Sequence, residues 1–369
     1  MASERDDARC RLSALERAPR NALPDDSIIS FVRGWLGLLG ALMFTGACMG
    51  STQSLASHPS PQMVRGPAVG LGSIAFDQST GEMVLLDPSG GGTWTWDGVH
   101  SWQQQHPSAA PVTQRGKMGG APFGLAWDPN SRSLIAVIGD FLNPFGISGN
   151  RLPAATWSWH GGSWTKLNNA TTPDVVGGAI ADYPPKQQLI MFSGCCQVGQ
   201  QERFLSAKPG MWIFDGRVWT EMHPTHMPPA RWGAAVAFDA ALGKTVLYGG
   251  SALEPDHPPL NDMWAWNGTD WSRLTSPPAQ SDLLVTQLGY SPDGSILLTA
   301  TGQNLQAEIW KWRGSDWSKL DVATPGCFFC ELAYDPAHKQ TVMVTNTQGR
   351  PDSAAEVWVW NGVRWSERS

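Results

Sequence analysis

The side chains best suited to chemistry occur in four segments rich in Gly, Pro and polar residues. These segments are residues 140–155, 195–210, 221–231 and 251–262. They hold carboxylates, guanidinium groups and imidazoles, the groups that bind polar ligands or exchange protons near neutral pH. The candidate ligand-binding residues are Asp140, Arg151, Glu202, Arg203, His223, His226, Arg231, Asp256 and His257.

Metal binding requires a fixed set of ligands, and the pattern does not supply one. His223 and His226 have the spacing H-x-x-H, but a proline-rich loop gives that spacing no defined geometry. Cys327 and Cys330 form a C-x-x-C pair, which would supply two of the four ligands that a structural zinc site uses. Together with the adjacent pair Cys195–Cys196, these cysteines could form disulfides or remain buried thiols. We expect no metal and no other cofactor.

Composition and motifs exclude several function classes. The net charge of −6 argues against nucleic acid as a main partner. No nucleophile elbow, phosphate-binding loop or pair of catalytic carboxylates can be recognised. Single carboxylates from separate segments could still converge in the fold, so the question of an enzyme depends on the elements that position the four segments.

Those elements are predicted by a tryptophan motif that occurs six times. Its pattern is W-x-[WF]-x-G-x-x-W, with one extra residue before the last Trp in the first copy. Successive copies are separated by 46 to 63 residues, which indicates a repeat architecture. The first and last tryptophans of the copies are Trp94 and Trp102, Trp157 and Trp164, Trp212 and Trp219, Trp264 and Trp271, Trp310 and Trp317, and Trp358 and Trp365.

Each motif predicts a β-hairpin. With Asn267–Gly268 as the central residues of a type I′ turn, Trp264 would lie opposite Trp271. The longer first copy would likewise pair Trp94 with Trp102. Strand alternation puts all three rings of a motif on one face of the hairpin, where they would pack against a neighbouring repeat.

Two further strand-like runs precede each hairpin, so that each repeat contains four antiparallel strands. Six such sheets around an axis would bury their tryptophan faces, which predicts an all-β, six-bladed propeller. In an up-and-down blade the four long segments would share one face, where we expect any ligand. The predicted blades span residues 67–108, 118–170, 174–224, 230–276, 282–322 and 326–369.

These motifs resemble those of a known protein family. The di-glycine strand Tyr248–Gly250, followed by N-D-x-W-x-W-N-G-x-x-W from Asn261 to Trp271, resembles the bacterial kelch-repeat propellers, which are related to the central domain of galactose oxidase. The resemblance covers roughly residues 66–369 and implies the fold, but no particular activity.

Two enzyme classes follow from analogy with that family and with other propellers. A copper radical oxidase needs two tyrosines, two histidines and a cysteine, but all four tyrosines are explained by the repeat. Tyr183, Tyr290 and Tyr334 share one predicted position, and Tyr248 precedes the di-glycine. A sialidase-like hydrolase stays open as an alternative, although the Asp-box-like segment 87–94 does not recur.

The N-terminal segment differs from the repeats. Residues 1–33 are charged, residues 34–48 form an apolar run that ends at Cys48, and residues 49–66 resemble a tether. The run suits a signal peptide, and Thr45–Cys48 resembles a lipobox, which implies lipid attachment to Cys48. A cleaved signal, an uncleaved anchor and a buried cytosolic segment stay open, as does a translation start at Val32.

The favoured function is therefore a non-catalytic, monomeric binding or scaffold module, exported and held at the cell envelope. Its partner would be a protein or a glycan. Converging carboxylates at the mouth of the long-loop face would instead indicate an enzyme.

Overall fold

The computed structural model describes residues 72–87, 92–111, 122–138, 154–168, 172–173, 178–193, 210–231, 233–252, 259–276, 285–301, 307–322, 325, 330–345 and 355–368. These residues form six antiparallel sheets of four consecutive strands each. The predicted six-bladed propeller is confirmed, and no α-helix occurs in the described ranges.

The strands of the first three blades follow the chain order. Blade 1 contains β1 (Ser73–Asp77), β2 (Glu82–Asp87), β3 (Gly92–Trp96) and β4 (Gln103–Gln105). Blade 2 contains β5 (Pro122–Asp128), β6 (Ser133–Ile138), β7 (Ala155–His160) and β8 (Ser163–Lys166). Blade 3 contains β9 (Ala179–Tyr183), β10 (Gln188–Ser193), β11 (Gly210–Phe214) and β12 (Trp219–Met222), with a 3-10 helix (Pro184–Lys186) between β9 and β10.

The remaining blades have the same order. Blade 4 contains β13 (Ala235–Asp239), β14 (Lys244–Tyr248), β15 (Met263–Trp266) and β16 (Trp271–Leu274). Blade 5 contains β17 (Val285–Tyr290), β18 (Ile296–Thr301), β19 (Ala307–Trp312) and β20 (Trp317–Lys319). Blade 6 contains β21 (Cys330–Asp335), β22 (Gln340–Thr345), β23 (Glu356–Trp360) and β24 (Trp365–Arg368).

The first strand of every blade is the innermost one. Each of these six strands contacts the first strands of both neighbouring blades, and β1 contacts β21. The six strands therefore surround the axis of the propeller and line its central channel. In the described ranges each blade consists of four strands that are consecutive in the chain, and blade 1 packs directly on blade 6 where the ring closes.

The tryptophan face of each blade packs on the aliphatic face of the preceding blade. Trp266 and Trp271 of blade 4 lie against Phe192 and Ile213 of blade 3. At the closure, Trp96 and Trp102 of blade 1 lie in one cluster with Val342, Val344, Val357 and Val359 of blade 6. Equivalent mixed clusters occupy the other four interfaces. Burial of a large aromatic side chain contributes roughly 1.5–3 kcal/mol, so these clusters are the core of the protein.

Indole N–H groups add directed bonds between blades. Trp164 donates to Thr93 Oγ1 at 2.8 Å, and Trp219 donates to Thr156 Oγ1 at 3.0 Å. Two further indoles reach the end of the first strand of the preceding blade. Trp312 donates to Asp239 Oδ2 at 3.0 Å, and Trp360 donates to Ser291 Oγ at 3.1 Å. These bonds satisfy polar groups that burial would otherwise leave without partners.

The predicted pairing of the two hairpin strands is wrong, because the turn between them contains four residues and not two. Trp266, not Trp264, lies opposite Trp271, and the turn consists of residues 267–270. Asn267 is the first residue of the turn, and its side chain accepts hydrogen bonds from the N–H groups of Thr269 and Asp270, each at 2.9 Å. These bonds form an Asx turn, in which the Asn side chain caps the backbone. The Asx turn takes the place of the type I′ turn that the sequence predicted.

The first copy of the motif shows the same shift. Trp96 stacks on Trp102, with ring centroids 5.7 Å apart, whereas Trp94 pairs with Gln104. The extra residue therefore lengthens the turn as predicted, but the second tryptophan of the motif faces the last one.

In some blades the glycine of the motif lies against the preceding blade. Gly268 has a φ of +97°, and a Cβ built on it would lie 2.7 Å from Tyr183 Oη of blade 3. A Cβ on Gly216 would lie 2.6 Å from Asn130 Cβ of blade 2. Glycine is therefore needed there both for the backbone conformation and for the close approach of two blades.

Gly268→Ala is expected to destabilise the protein more than Gly162→Ala. Gly162 also has a positive φ, +81°, but a Cβ there meets no atom within 4 Å. Backbone strain would cost about 1–2 kcal/mol in both variants, and the steric conflict about 1–3 kcal/mol more in Gly268→Ala. Urea denaturation of both variants measures the difference, and equal losses would contradict the close approach.

Candidate functional site

Most of the predicted ligand-binding residues lie outside the described residues. These are Asp140, Arg151, Glu202, Arg203, Asp256 and His257. The lipid-anchor candidate Cys48 and the cysteines Cys195, Cys196 and Cys327 also lie outside them. Three of the nine candidates, His223, His226 and Arg231, are described and can be placed.

Arg231 has a structural environment. Its side chain is fully buried and forms a bidentate pair with Asp262, with Nη2 at 3.0 Å from Oδ2. The same guanidinium donates to the carbonyls of Pro229 and Gly249, each at 3.0 Å. Trp264 donates to Asp262 as well, at 2.7 Å. Arg231 therefore joins the connection before blade 4 to the third strand of that blade, and its donors are not directed at a ligand.

The two histidines do not form a shared site. His226 contacts Asp270 in the turn of blade 4, with Nδ1 at 2.7 Å from Oδ2 and its backbone N–H at 2.8 Å from Oδ1. These hydrogen bonds lower the pKa of Asp270. His223 is exposed. The described part of the chain contains no group of three or more His, Cys, Asp and Glu residues placed to hold a metal ion.

The innermost strands carry two ionisable residues that the sequence patterns do not single out. Glu331 lies at the start of β21, and Asp182 lies near the end of β9. Both side chains are partly exposed, although protein atoms surround both. This combination is expected for groups that border a narrow, open channel. A carboxylate inside an apolar innermost strand is the sequence signal that could have revealed them.

Glu331 and Gln287 form a neutral polar pair. Gln287 lies on the innermost strand of blade 5, and its amide Nε2 donates to Glu331 Oε1 at 3.3 Å. Burial raises the pKa of Glu331 to about 8. A protonated carboxyl group both donates and accepts hydrogen bonds, as does the glutamine amide. Because β17 and β21 begin at the long-loop face, this pair lies towards the predicted ligand-binding end of the channel.

Asp182 lies towards the opposite end of the channel, near the tight turns. Burial raises the pKa of Asp182 to about 6, and no other ionised side chain contributes to the shift. The pKa of Glu331 likewise has no contribution from Asp182. The two carboxyl groups therefore do not form a coupled acid–base pair, although they occupy one channel.

The position of Asp182 corrects the predicted tyrosine alignment. Tyr183 pairs with Gln188 on the last rung before the turn, whereas Tyr334 pairs with Thr341, one rung earlier. Asp182 thus occupies the repeat position of Tyr290 and Tyr334. The reason is that Tyr183 takes the position that an aspartate or serine holds in other blades, next to the 3-10 helix that replaces their turn.

Cys330 is disulfide-bonded, which removes the free-thiol alternative for this residue. Its partner lies outside the described residues. Because Cys330 is buried and directly precedes Glu331, the bridge is anchored beside the channel pair.

In the described ranges no helix has the length and apolar character needed to span a membrane.

Comparison with solved structures agrees with the fold. YjhT is similar with a TM-score of 0.58 and 15% identity over 83% of this chain and 98% of that chain. The SapL1 lectin in complex with alpha methyl fucoside has a TM-score of 0.52 and 14% identity over 81% and 96%. The Aleuria aurantia lectin, a six-bladed propeller with a novel fucose recognition mode, has 0.52 and 13% over 81% and 95%. No family model and no curated protein matches the chain.

These similarities define the chain as a six-bladed β-propeller protein. The identities are low, so the shared feature is the fold.

Glu331→Gln is expected to stabilise the protein at high pH. Free glutamate titrates near 4.5, whereas burial raises the folded-state pKa to about 8. The folded protein therefore binds an extra proton between these values, and stability falls as the pH rises through that window. At pH 9 the variant should be more stable by on the order of 2–4 kcal/mol, and at pH 4 by less than about 1 kcal/mol.

Thermal unfolding between pH 4 and 9 measures this difference. Glu221→Gln, on the exposed face of β12, is the matched control and should show no comparable pH-dependent gain. Parallel pH profiles for wild type and Glu331→Gln would contradict the neutral state of Glu331.

Proposed function

We propose that this protein is a non-catalytic binding module that recognises a glycan at the long-loop end of its channel. The observation that carries the proposal is the neutral pair Glu331–Gln287. Two uncharged groups that both donate and accept hydrogen bonds match the hydroxyls of a neutral sugar. The lectins with a similar fold, one of them described in complex with alpha methyl fucoside, support this ligand class.

A hydrolase is the less favoured alternative. Hydrolysis of a glycoside by two carboxylates requires both of them close to one bond, within about 5–10 Å of each other. Asp182 and Glu331 lie on blades 3 and 6, towards opposite ends of the channel, and neither affects the pKa of the other. Among the described residues the channel therefore favours binding over catalysis.

The binding proposal is tested by measuring sugar affinity against pH. A neutral monosaccharide panel that includes alpha methyl fucoside is titrated by calorimetry or ligand-observed NMR. Affinity should fall as the pH rises through about 8, because the ionised Glu331 loses its donor. Glu331→Gln should retain affinity at pH 9, whereas Gln287→Leu should lose about tenfold or more.

Gln103→Leu, on the exposed outer strand of blade 1, is the control and should bind as wild type does. Binding that is unaffected by Gln287→Leu, and wild-type affinity that does not fall as the pH rises through about 8, would place the sugar elsewhere and reject this site.

We further propose that the propeller belongs to the kelch type and is exported and lipid-anchored. The repeat motif from Asn261 to Trp271 and the apolar segment that ends at Cys48 support these assignments. The same segment implies attachment to the cell envelope, with the propeller outside the cytoplasm.

Lipid attachment is tested by intact mass and fractionation after expression in a bacterial host. We expect a membrane-associated form that begins at Cys48 and carries a diacylglyceryl group, and its loss in Cys48→Ser. An unmodified chain that is recovered without membranes would contradict the anchor.

A further inference from the structure

Six structurally equivalent residues surround the axis near the tight-turn end of the channel. Each lies on an innermost strand, one residue before the position that heads the following turn. We refer to them as the axial collar: Phe76, Trp127, Asp182, Phe238, Tyr290 and Tyr334. Five members are aromatic and one is a carboxylate, and all six side chains are partly exposed.

The backbone holds the collar in place through bonds between blades. Thr341 of blade 6 donates to the carbonyl of Tyr290 at 2.6 Å, and Thr245 of blade 4 donates to the carbonyl of Asp182 at 3.2 Å. The two bonds are equivalent in the repeat, which confirms that Asp182 replaces an aromatic residue. The rings of Tyr290 and Tyr334 meet edge to face, with centroids 4.9 Å apart. The collar is therefore preorganised, not formed by a loop.

Asp182 places a negative charge in this aromatic ring. Among the described residues no cation pairs with its carboxylate, and its own backbone N–H is the hydrogen-bond donor that acts on it. The nearest basic residue in sequence, Lys186, donates instead to the carbonyl of Gly268 at 2.7 Å. With a pKa of about 6, the carboxyl group is mostly ionised at neutral pH. An enclosed charge of this kind is costly unless a ligand pairs with it.

We propose that the axial collar binds a substituted ammonium group, such as a quaternary ammonium. Aromatic faces attract an organic cation through their quadrupoles, and the Asp182 carboxylate adds direct charge pairing. A divalent metal is a poorer match because Ca²⁺ takes six to eight oxygen ligands, whereas the collar offers one carboxylate and two phenols. A neutral sugar would leave the carboxylate unpaired.

The cation would enter from the tight-turn face. All six turns between the first and second strands lie in the described ranges, so this end of the channel is defined by ordinary short turns. The site is separate from the pair Glu331–Gln287 at the other end, and it does not depend on the glycan-binding function.

Titration with choline and its uncharged isostere 3,3-dimethyl-1-butanol tests the charge requirement. The two compounds have the same shape, so the comparison isolates the positive charge. We expect choline to bind with a Kd on the order of 1 mM, and the isostere at least about tenfold more weakly, measured by NMR or calorimetry at pH 7.5. Equal binding, or no binding of choline at 50-fold higher concentration, about 50 mM, would overturn the proposal.

Asp182→Asn locates the cation at the collar. This isosteric variant should lose about tenfold in choline affinity, whereas Glu221→Gln, on the exposed face of β12, should bind as wild type does. Full choline affinity in a folded Asp182→Asn protein would reject the site.

The wild-type protein provides a second readout if the variant fails to fold. Asp182 becomes protonated as the pH falls through about 6, so choline affinity should decline from pH 7.5 to pH 5. The other collar members with phenol groups are Tyr290 and Tyr334, and burial raises the pKa of Tyr334 above its ordinary value of 10.0. Affinity that does not change between pH 7.5 and 5 would overturn the role of Asp182.

Discussion

The structure depends on one repeated contact, the packing of a tryptophan face on the aliphatic face of the blade before it. No single four-stranded sheet can bury that face by itself, because its aromatic side has no partner within the blade. Six such contacts in a closed ring bury every face and leave none unmatched. Indole N–H groups that donate to threonine, serine and aspartate of the neighbouring blade add directed bonds to this packing. The channel exists because these contacts hold six innermost strands around an axis.

Repetition explains how much of this fold could be predicted from sequence. The tryptophan spacing and the preceding apolar runs predict four strands per repeat and six repeats, since hydrophobic alternation and turn residues act locally. The register of the hairpin could not be predicted in the same way. Asn-Gly occurs both as the centre of a type I′ turn and, as at Asn267, as the head of an Asx-capped turn. The two alternatives differ in which tryptophan faces the last one, although all three rings remain on one face.

The channel residues were missed for a different reason. Asp182 precedes a tyrosine and two prolines, so aligning the tyrosines places it one position too early in the repeat. The 3-10 helix of blade 3 creates this offset, and only the pairing of β9 with β10 resolves it. Arg231 was predicted to bind a ligand but has a structural role instead. A charged residue in a proline-rich connection resembles a ligand-binding residue, yet its buried pairing with Asp262 depends on a residue 31 positions later. Sequence spacing does not show which charges meet in this way.

The closure of the ring has a consequence for how the protein folds. Every blade is one continuous segment of chain, so nearly all contacts join residues within a blade or in consecutive blades. The interface between blades 1 and 6 is the exception, since it joins Ile74 and Leu85 to Val342 and Val357. Among the described residues, this interface is the one that joins segments far apart in the sequence. The other five interfaces join consecutive blades and can therefore form before it does. Since the entropic cost of closing a loop grows only logarithmically with its length, side-chain packing is sufficient for this last step. Because β1 and β24, the first and last strands, lie on adjacent blades, a chain start between any two blades would preserve all six sheets.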